Sequence, residues 1–226
     1  MWHEQLQTQG FAAIPGALAP AEIARVLEDL NRATSLRSRA GVRQALKIDS
    51  VAALARSSRL SEIAGQVLGH EALPYKATLF EKSPRANWLV VWHQDTAIPL
   101  RERREKAGWG PWSLKEGVIY AHAPASALNH VLALRIHLDP SNAENGPLRV
   151  LPGTHTLGVL SDQQIKGLAI QVPPVDCLIP HGGILAMRPL LIHASSKCKL
   201  QVRRRVLHIE YAASLFVDEG LELAVA

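Results

Sequence analysis

From about residue 72 onward the sequence is a succession of short apolar or alternating runs separated by turn residues, and this texture limits the fold more than any other feature. The runs are Tyr75–Phe80, Trp88–His93, Val118–His122, Val131–Leu138, Leu148–Leu151, Gly183–Met187, Leu190–His193 and Arg204–Tyr211. Between them stand Ser83-Pro84, Asn145-Gly146-Pro147, Pro152-Gly153, Pro173-Pro174 and His181-Gly182-Gly183, residue types that supply the dihedral angles turns need. Runs this short, bounded in this way, predict strands. About eight strands with irregular loops, and no helices alternating with them, point to a β-sandwich or barrel instead of a parallel sheet. A jelly roll is the closed form suited to that strand number.

The first 70 or so residues read as mostly helical. Ile23, Val26, Leu27 and Leu30 fall on one helical stripe, with Pro20 at the start, where its missing N–H costs nothing. Ser50 and Ser61 look like caps of two further helices. No repeat, low-complexity tract or linker interrupts the chain, so 1–226 is expected to be a single domain, its helical part of about 1–70 packed on the β core. A chain of 226 residues buries enough surface to fold without a disulfide or a structural ion, so any metal site would serve function. Cys177 and Cys198 lack C-x-x-C spacing and read as reduced thiols. There is no signal-peptide pattern and no apolar run of membrane-spanning length, and a cytoplasmic location is expected.

The net charge of +5 gathers in two runs, 101–106 and 197–205. Neither is a nucleic-acid motif. They read as solvated surface with one or two functional arginines, or as a basic mouth that draws in acidic substrates.

The strongest chemical feature is Trp92-His93-Gln94-Asp95 at the end of an apolar strand. Residues i and i+2 of a strand share a face, so an imidazole and a carboxylate arrive at one spot. A histidine from elsewhere would complete a two-histidine, one-carboxylate facial triad, which suits Fe(II) because it leaves adjacent positions open. His137-Leu138-Asp139 has the same spacing, though Asp139 could simply begin a turn before Pro140. The first pair is favoured because His193, closing the run Leu190–Ile192, can supply the third ligand, and Arg204 follows eleven residues later. A strand-opening arginine that points inward needs an anionic partner, and its planar fork fits a carboxylate. Alternation sends Arg203 and Arg205 to the face opposite Arg204.

Five stretches in order resemble the phytanoyl-CoA dioxygenase family: Phe80–Pro84, Trp92–Asp95, Leu138-Asp139 with Glu144–Leu148, Leu151–His155, and Pro189–Ser195 with Arg204. The resemblance runs from about Gln9 to Tyr211. It implies a double-stranded β-helix, with His93, Asp95 and His193 holding Fe(II) and 2-oxoglutarate as cosubstrate. It also implies Arg204 and Ser195 at the cosubstrate. Arg135 falls where the family often has an aromatic residue, so it is expected at the cosubstrate, at an acidic substrate or in an internal ion pair. His155 is expected to be structural, and His137-Leu138-Asp139 falls outside the family's metal position. The carboxylate of Asp95 favours hydroxylation over halogenation, with O₂ as oxidant, succinate and CO₂ as coproducts, and ascorbate as an assay supplement. The long connection from Thr96 to Pro124 is expected to form a lid, with Trp109, Trp112 and Arg101 meeting a small-molecule substrate or packing on the body. Two other classes compete: a cupin-like metalloprotein without a keto acid, and a non-catalytic binding protein that keeps the shell of the fold.

Overall fold

The structure, a computed structural model, describes residues 1–33, 37–38, 41–69, 72–83, 86–199 and 202–225. Pro84, part of one expected turn, lies outside the described residues. The amino-terminal part contains α1 (Trp2–Gln9), β1 (Phe11–Ile14), α2 (Pro20–Arg32), β2 (Arg37–Ser38), β3 (Gly41–Val42), α3 (Asp49–Ala55) and α4 (Ser58–Leu68). There follow β4 (Leu73–Lys82), β5 (Val90–His93), β6 (Ala97–Leu100), β7 (Trp112–Lys115), β8 (Val118–His122), α5 (Ala125–Leu128) and β9 (Val131–His137). The remainder is β10 (Leu148–Val150), α6 (Asp162–Gln171), β11 (Val175–Cys177), β12 (Ile184–Met187), β13 (His193–Ser195), β14 (Arg204–Ala212), β15 (Phe216–Asp218) and β16 (Leu221–Glu222).

The larger sheet has the antiparallel order β1-β12-β9-β14-β4-β3-β2, and the smaller has β11-β10-β13-β5. These are the two layers of a jelly roll. Strand β9 is buried along its whole length because both its faces are covered. Leu132, Leu134 and Ile136 meet Ile23, Val26 and Leu30 of α2, together with α3 and α4, on the outer face of the large sheet. Val131, Ala133, Arg135 and His137 point the other way, with Ala133 joining Leu148, Val150 and Leu185 between the sheets. Strand β14 repeats the division: Leu207, Ile209 and Tyr211 belong to the helix-covered core. Arg204, His208 and Glu210 therefore face inward, and all three are buried.

Several expectations need correction. Helix α3 begins at Asp49, so Ser50 is inside it and buried, and α4 is capped by Ser57, whose Oγ accepts the Leu60 N–H at 3.5 Å, leaving Ser61 within the helix. The run Leu190–His193 is not a strand; β13 starts at His193. Leu190, Leu191 and Ile192 enter three different apolar clusters, which a strand with two-sided alternation could not do. The connection 96–124 is not a loop but carries the three-stranded sheet β6-β8-β7. Cys177 and Cys198 are free thiols, and no helix among the described residues is long and apolar enough to cross a membrane.

The two-faced burial of β9 has a measurable consequence. Leu134, 0% exposed, loses its side chain in Leu134→Ala and should cost roughly 2–5 kcal/mol in urea unfolding. Phe216→Ala, at a side chain 71% exposed, should stay within about 0.5 kcal/mol. Equal costs would contradict the assignment of the core.

Candidate metal and cosubstrate site

Strands β5 and β13 pair so that His93 stands directly opposite His193. The two rings are 4.2 Å apart between centroids. Each ring spends its Nδ1–H on the carbonyl two residues earlier: His93 donates to Val91 at 2.8 Å and His193 to Leu191 at 2.9 Å. This fixes the tautomer and turns both Nε2 atoms to the same point. There they face Asp95, with His93 Nε2 3.6 Å from Oδ1 and His193 Nε2 3.5 Å from Oδ2. One ligand atom from each of the three residues lies within 4.8 Å of the others. Ligands ~2.1 Å from an ion at right angles stand ~3 Å apart, so a small inward movement would place all three on one face of a cation.

Asp95 lies beyond the end of β5, not on it, and its position is secured from outside the strand. Its N–H donates to the Pro189 carbonyl at 2.9 Å. Gln94, on the opposite side of the chain, donates to the carbonyls of Leu190 at 2.8 Å and Gly158 at 2.9 Å, and accepts the Leu160 N–H at 2.9 Å. The residue between the two ligands therefore ties their segment to the one that leads into His193. Charges suit a cation. Burial pushes His193 down to about 4, so its Nε2 carries a lone pair at neutral pH. Burial opposes ionisation of Asp95, but the two histidines outweigh it and hold the carboxyl well below its usual range. On His93 burial acts downward and the Asp95 carboxylate upward; the carboxylate prevails and the imidazole is raised, so an incoming ion competes with a proton there.

The triad forms one end of a cavity of about 100 Å³ whose other walls include Lys82, Arg135 and Arg204. These cations converge because β4, β14 and β9 are neighbours in register, with Arg204 opposite Lys82 and His208 opposite both Thr78 and Arg135. Arg204 is buried, and its Nε and Nη1 have no hydrogen-bond partner among the described residues. Burial, with Arg135 adding to it, lowers the guanidinium to about 10. Lys82 is buried at 2% exposure; its Nζ donates to Ser195 Oγ at 2.7 Å and also meets the Ser196 carbonyl. Burial and the charge of Arg204 bring it down to about 8. The Ser195 hydroxyl passes its own hydrogen to the Gly146 carbonyl at 2.9 Å, so it orients Lys82 and has no proton left for a ligand in this arrangement.

Arg135 is held from behind. Its Nη1 donates to His208 Nδ1 at 2.9 Å, His208 Nε2 donates to Glu210 at 3.0 Å, and Glu210 accepts from Lys76 at 2.9 Å and Tyr75 at 2.7 Å. Burial disfavours the Glu210 anion, but Lys76 and His208 win and hold it at about 2. The cavity thus presents a cluster of cations with buried, unpartnered donors, a costly state that an anion would relieve.

The neighbouring arginines behave as alternation requires. Arg205 forms a two-point pair with Asp139 at 2.7 and 2.8 Å, and Arg203 lies 3.6 Å from Glu81 at the surface. Asp139 is thus an ion-pair partner, while His137 is buried with Nδ1 on Ser141 Oγ at 3.0 Å; the second H-x-D pair is not brought to the site. His155 contacts the Gln7 carbonyl at 3.1 Å, away from the triad. The three substrate candidates do not line this cavity. Trp109 is buried and donates to Asp218 at 3.0 Å, Trp112 packs on the same cluster, and Arg101 pairs with Glu222 at 2.7 Å. Lys82 and Gln94 escaped the sequence reading. The only signal for Lys82 is a lysine ending an alternating strand, and its partner across the sheet is known only once the register is known.

Similar folds occur in non-haem enzymes. The crystal structure of AviO1 from Streptomyces viridochromogenes Tue57 is 23% identical, with 93% of each chain covered and a TM-score of 0.67. That of the epimerase SnoN in complex with Fe3+, alpha ketoglutarate and nogalamycin RO is 18% identical over 95% of this chain and 83% of that one, with a TM-score of 0.73. EctD from S. alaskensis, in its apo form, is 18% identical over 92% and 75%, with a TM-score of 0.67. At these identities the likeness speaks for the fold alone. No curated protein matches the sequence. The sequence profile of phytanoyl-CoA dioxygenase (PhyH), however, matches residues 6–206, a span that contains the triad, Lys82 and Arg204, and the chain belongs to that family.

Proposed function

We propose that the protein is an Fe(II)- and 2-oxoglutarate-dependent dioxygenase that hydroxylates a small molecule, releasing succinate and CO₂. The observation that carries this is the pairing, within one cavity, of the triad His93, Asp95 and His193 with the guanidinium of Arg204, whose Nε and Nη1 have no hydrogen-bond partner among the described residues. Iron bound at such a site, with a keto acid and O₂, supplies the oxidising power to replace an unactivated C–H bond by C–OH.

The chain's own residues would do the rest. His93, Asp95 and His193 would hold the ion and leave it open positions for ligands. Arg204 and Lys82 take the far carboxylate of the keto acid, and Ser195 keeps Lys82 aimed at it. Arg135, fixed by His208 and Glu210, adds a third positive charge without a conformational search when the dianion enters. Asp95 fills the coordination position that a halide would need, which favours hydroxylation over halogenation. A cupin-like protein without a keto acid would have no use for buried cations in the same cavity as its ligands, and a mere shell would not retain the complete triad. An epimerase and a carbocyclase share the fold, so the product must be identified chemically.

The first test is succinate formation from 2-oxoglutarate by the Fe(II) protein, with ascorbate and without substrate. His93→Ala should lower it more than about 100-fold, and a His193→Ala protein that retained wild-type turnover would refute the assignment. Arg204→Ala should raise the required cosubstrate concentration on the order of 100-fold, as expected for a desolvated charge partner. Arg203→Ala, at a side chain 62% exposed, should change it less than about threefold.

Lys82 gives a pH test by binding alone. It is charged below about 8 and neutral above, so the affinity of the Zn(II)-loaded protein for 2-oxoglutarate should fall as pH rises through about 8. Lys82→Met should bind weakly with no such fall. A wild-type affinity independent of pH between 7 and 9 would show that Lys82 does not meet the carboxylate.

A further inference from the structure

A second hollow, of about 310 Å³, shares His93, Asp95 and Phe80 with the cosubstrate cavity but none of its cations. Its own cations are Arg43, Lys76 and Lys115, from the segment after β3, from β4 and from β7. Lys76 is already neutralised by Glu210 at 2.9 Å. Lys115 has no carboxylate partner among the described residues and holds its Nζ 5.1 Å from the centre of the Tyr120 ring. Arg43 meets Glu116 at 3.1 Å, with the two side chains 54% and 48% exposed.

That last contact is unusual in its backbone. Gln44 and Glu116 are the only non-glycine residues with positive φ among the described residues, at 52° and 50°. They touch: Gln44 Nε2 donates to the Glu116 carbonyl at 3.1 Å. The conformation of Glu116 is the one the two-residue turn Glu116-Gly117 requires between β7 and β8, and this turn brings the hairpin to Arg43 at the rim. An exposed ion pair is a weak bond, so a competing anion can take the place of the Glu116 carboxylate.

We propose that this hollow is the substrate chamber and that it takes a small molecule bearing an oxyanion, which Arg43 and Lys115 grip where Glu116 now stands. The proposal rests on the oxygenase reading for the word substrate; the anion site itself does not. Tyr120 and Phe80 line the hollow beside the anion site, and His93 and Asp95 would place the reacting position beside the ion. An uncharged substrate would gain nothing from Lys115 and would leave the Arg43–Glu116 contact closed.

Inorganic phosphate and acetate provide the test. Each is titrated into protein saturated with Zn(II) and 2-oxoglutarate, which fills the cavity of Arg204, and the amide resonances of residues 43–44 and 115–117 are followed. At least one anion should shift these amides saturably, and the tighter of the two identifies phosphate or carboxylate as the preferred group. Arg43→Gln should weaken that binding about fivefold, while Glu116→Gln, which removes the resident competitor, should tighten it by about threefold. The tightening is the decisive sign, since a merely structural Glu116 would not produce it. Amides that do not move with either anion, or a Glu116→Gln protein that binds no better, would overturn the proposal. Succinate formation by the wild-type iron protein is read separately, so failure of the oxygenase reading and failure of the anion site are distinguishable.

Discussion

The cross-strand pair of His93 and His193 is the constraint on which the site depends. Two imidazoles placed opposite each other on adjacent antiparallel strands repel if both are charged and stack uselessly if unoriented. Here each is turned by a hydrogen bond to its own strand's carbonyl, and Asp95 is brought to both by a backbone bond to Pro189 and by the three-point anchor of Gln94. The smaller sheet therefore supplies a geometry that could hold a metal ion. Its residues contribute little to the main core, which lies on the far side of the larger sheet.

The larger sheet supplies the charge. Because β9 and β14 are apolar toward the helices, their other faces are free to carry Arg135, Arg204, His208 and Glu210 inward. Burying so many ionisable groups is costly, and the chain handles them in two ways. Arg135, His208, Glu210, Lys76 and Tyr75 satisfy one another in a continuous chain of hydrogen bonds. Arg204 retains donors with no partner among the described residues, whereas Lys82 is held by Ser195 Oγ and the carbonyls of Ser195 and Ser196. The first group is architecture; under the proposed function the second would receive a dianion. The same protein surface divides on either side of His93 and Asp95, one cavity lined by Arg204 and the other by Arg43 and Lys115.

Much of this was legible in the sequence. Strands with clear alternation, such as Arg204–Ala212, and the longest apolar ones, such as Val131–His137, stand nearly where their patterns put them. The triad residues and Arg204 were legible because spacing, strand endings and family resemblance agreed. Phe11–Ile14 and Trp112–Lys115 were not, since so short a run without flanking apolar residues has no measurable period and owes its form to partners distant in sequence, although the equally short Leu148–Val150 and Ile184–Met187 were. Tertiary packing also hid the turn at Leu190–Ile192, whose uninterrupted apolar character imitates a strand while serving three separate clusters. Lys82, Gln94 and the Arg43–Glu116 contact depend on register and loop path, which no local pattern encodes. The sequence allowed two readings of Trp109 and Trp112, contact with a substrate or packing on the body, and their place in one apolar cluster with Leu100, Leu128 and Leu223 corresponds to the second.

The most direct measurement of the central claim is a crystal structure grown anaerobically with Fe(II) and 2-oxoglutarate, with data collected at the iron absorption edge. The account predicts one anomalous peak bound by both Nε2 atoms and the Asp95 carboxylate, and a keto acid running from that ion to the guanidinium of Arg204. Iron located elsewhere, or a cosubstrate whose far carboxylate avoids Arg204 and Lys82, would contradict it.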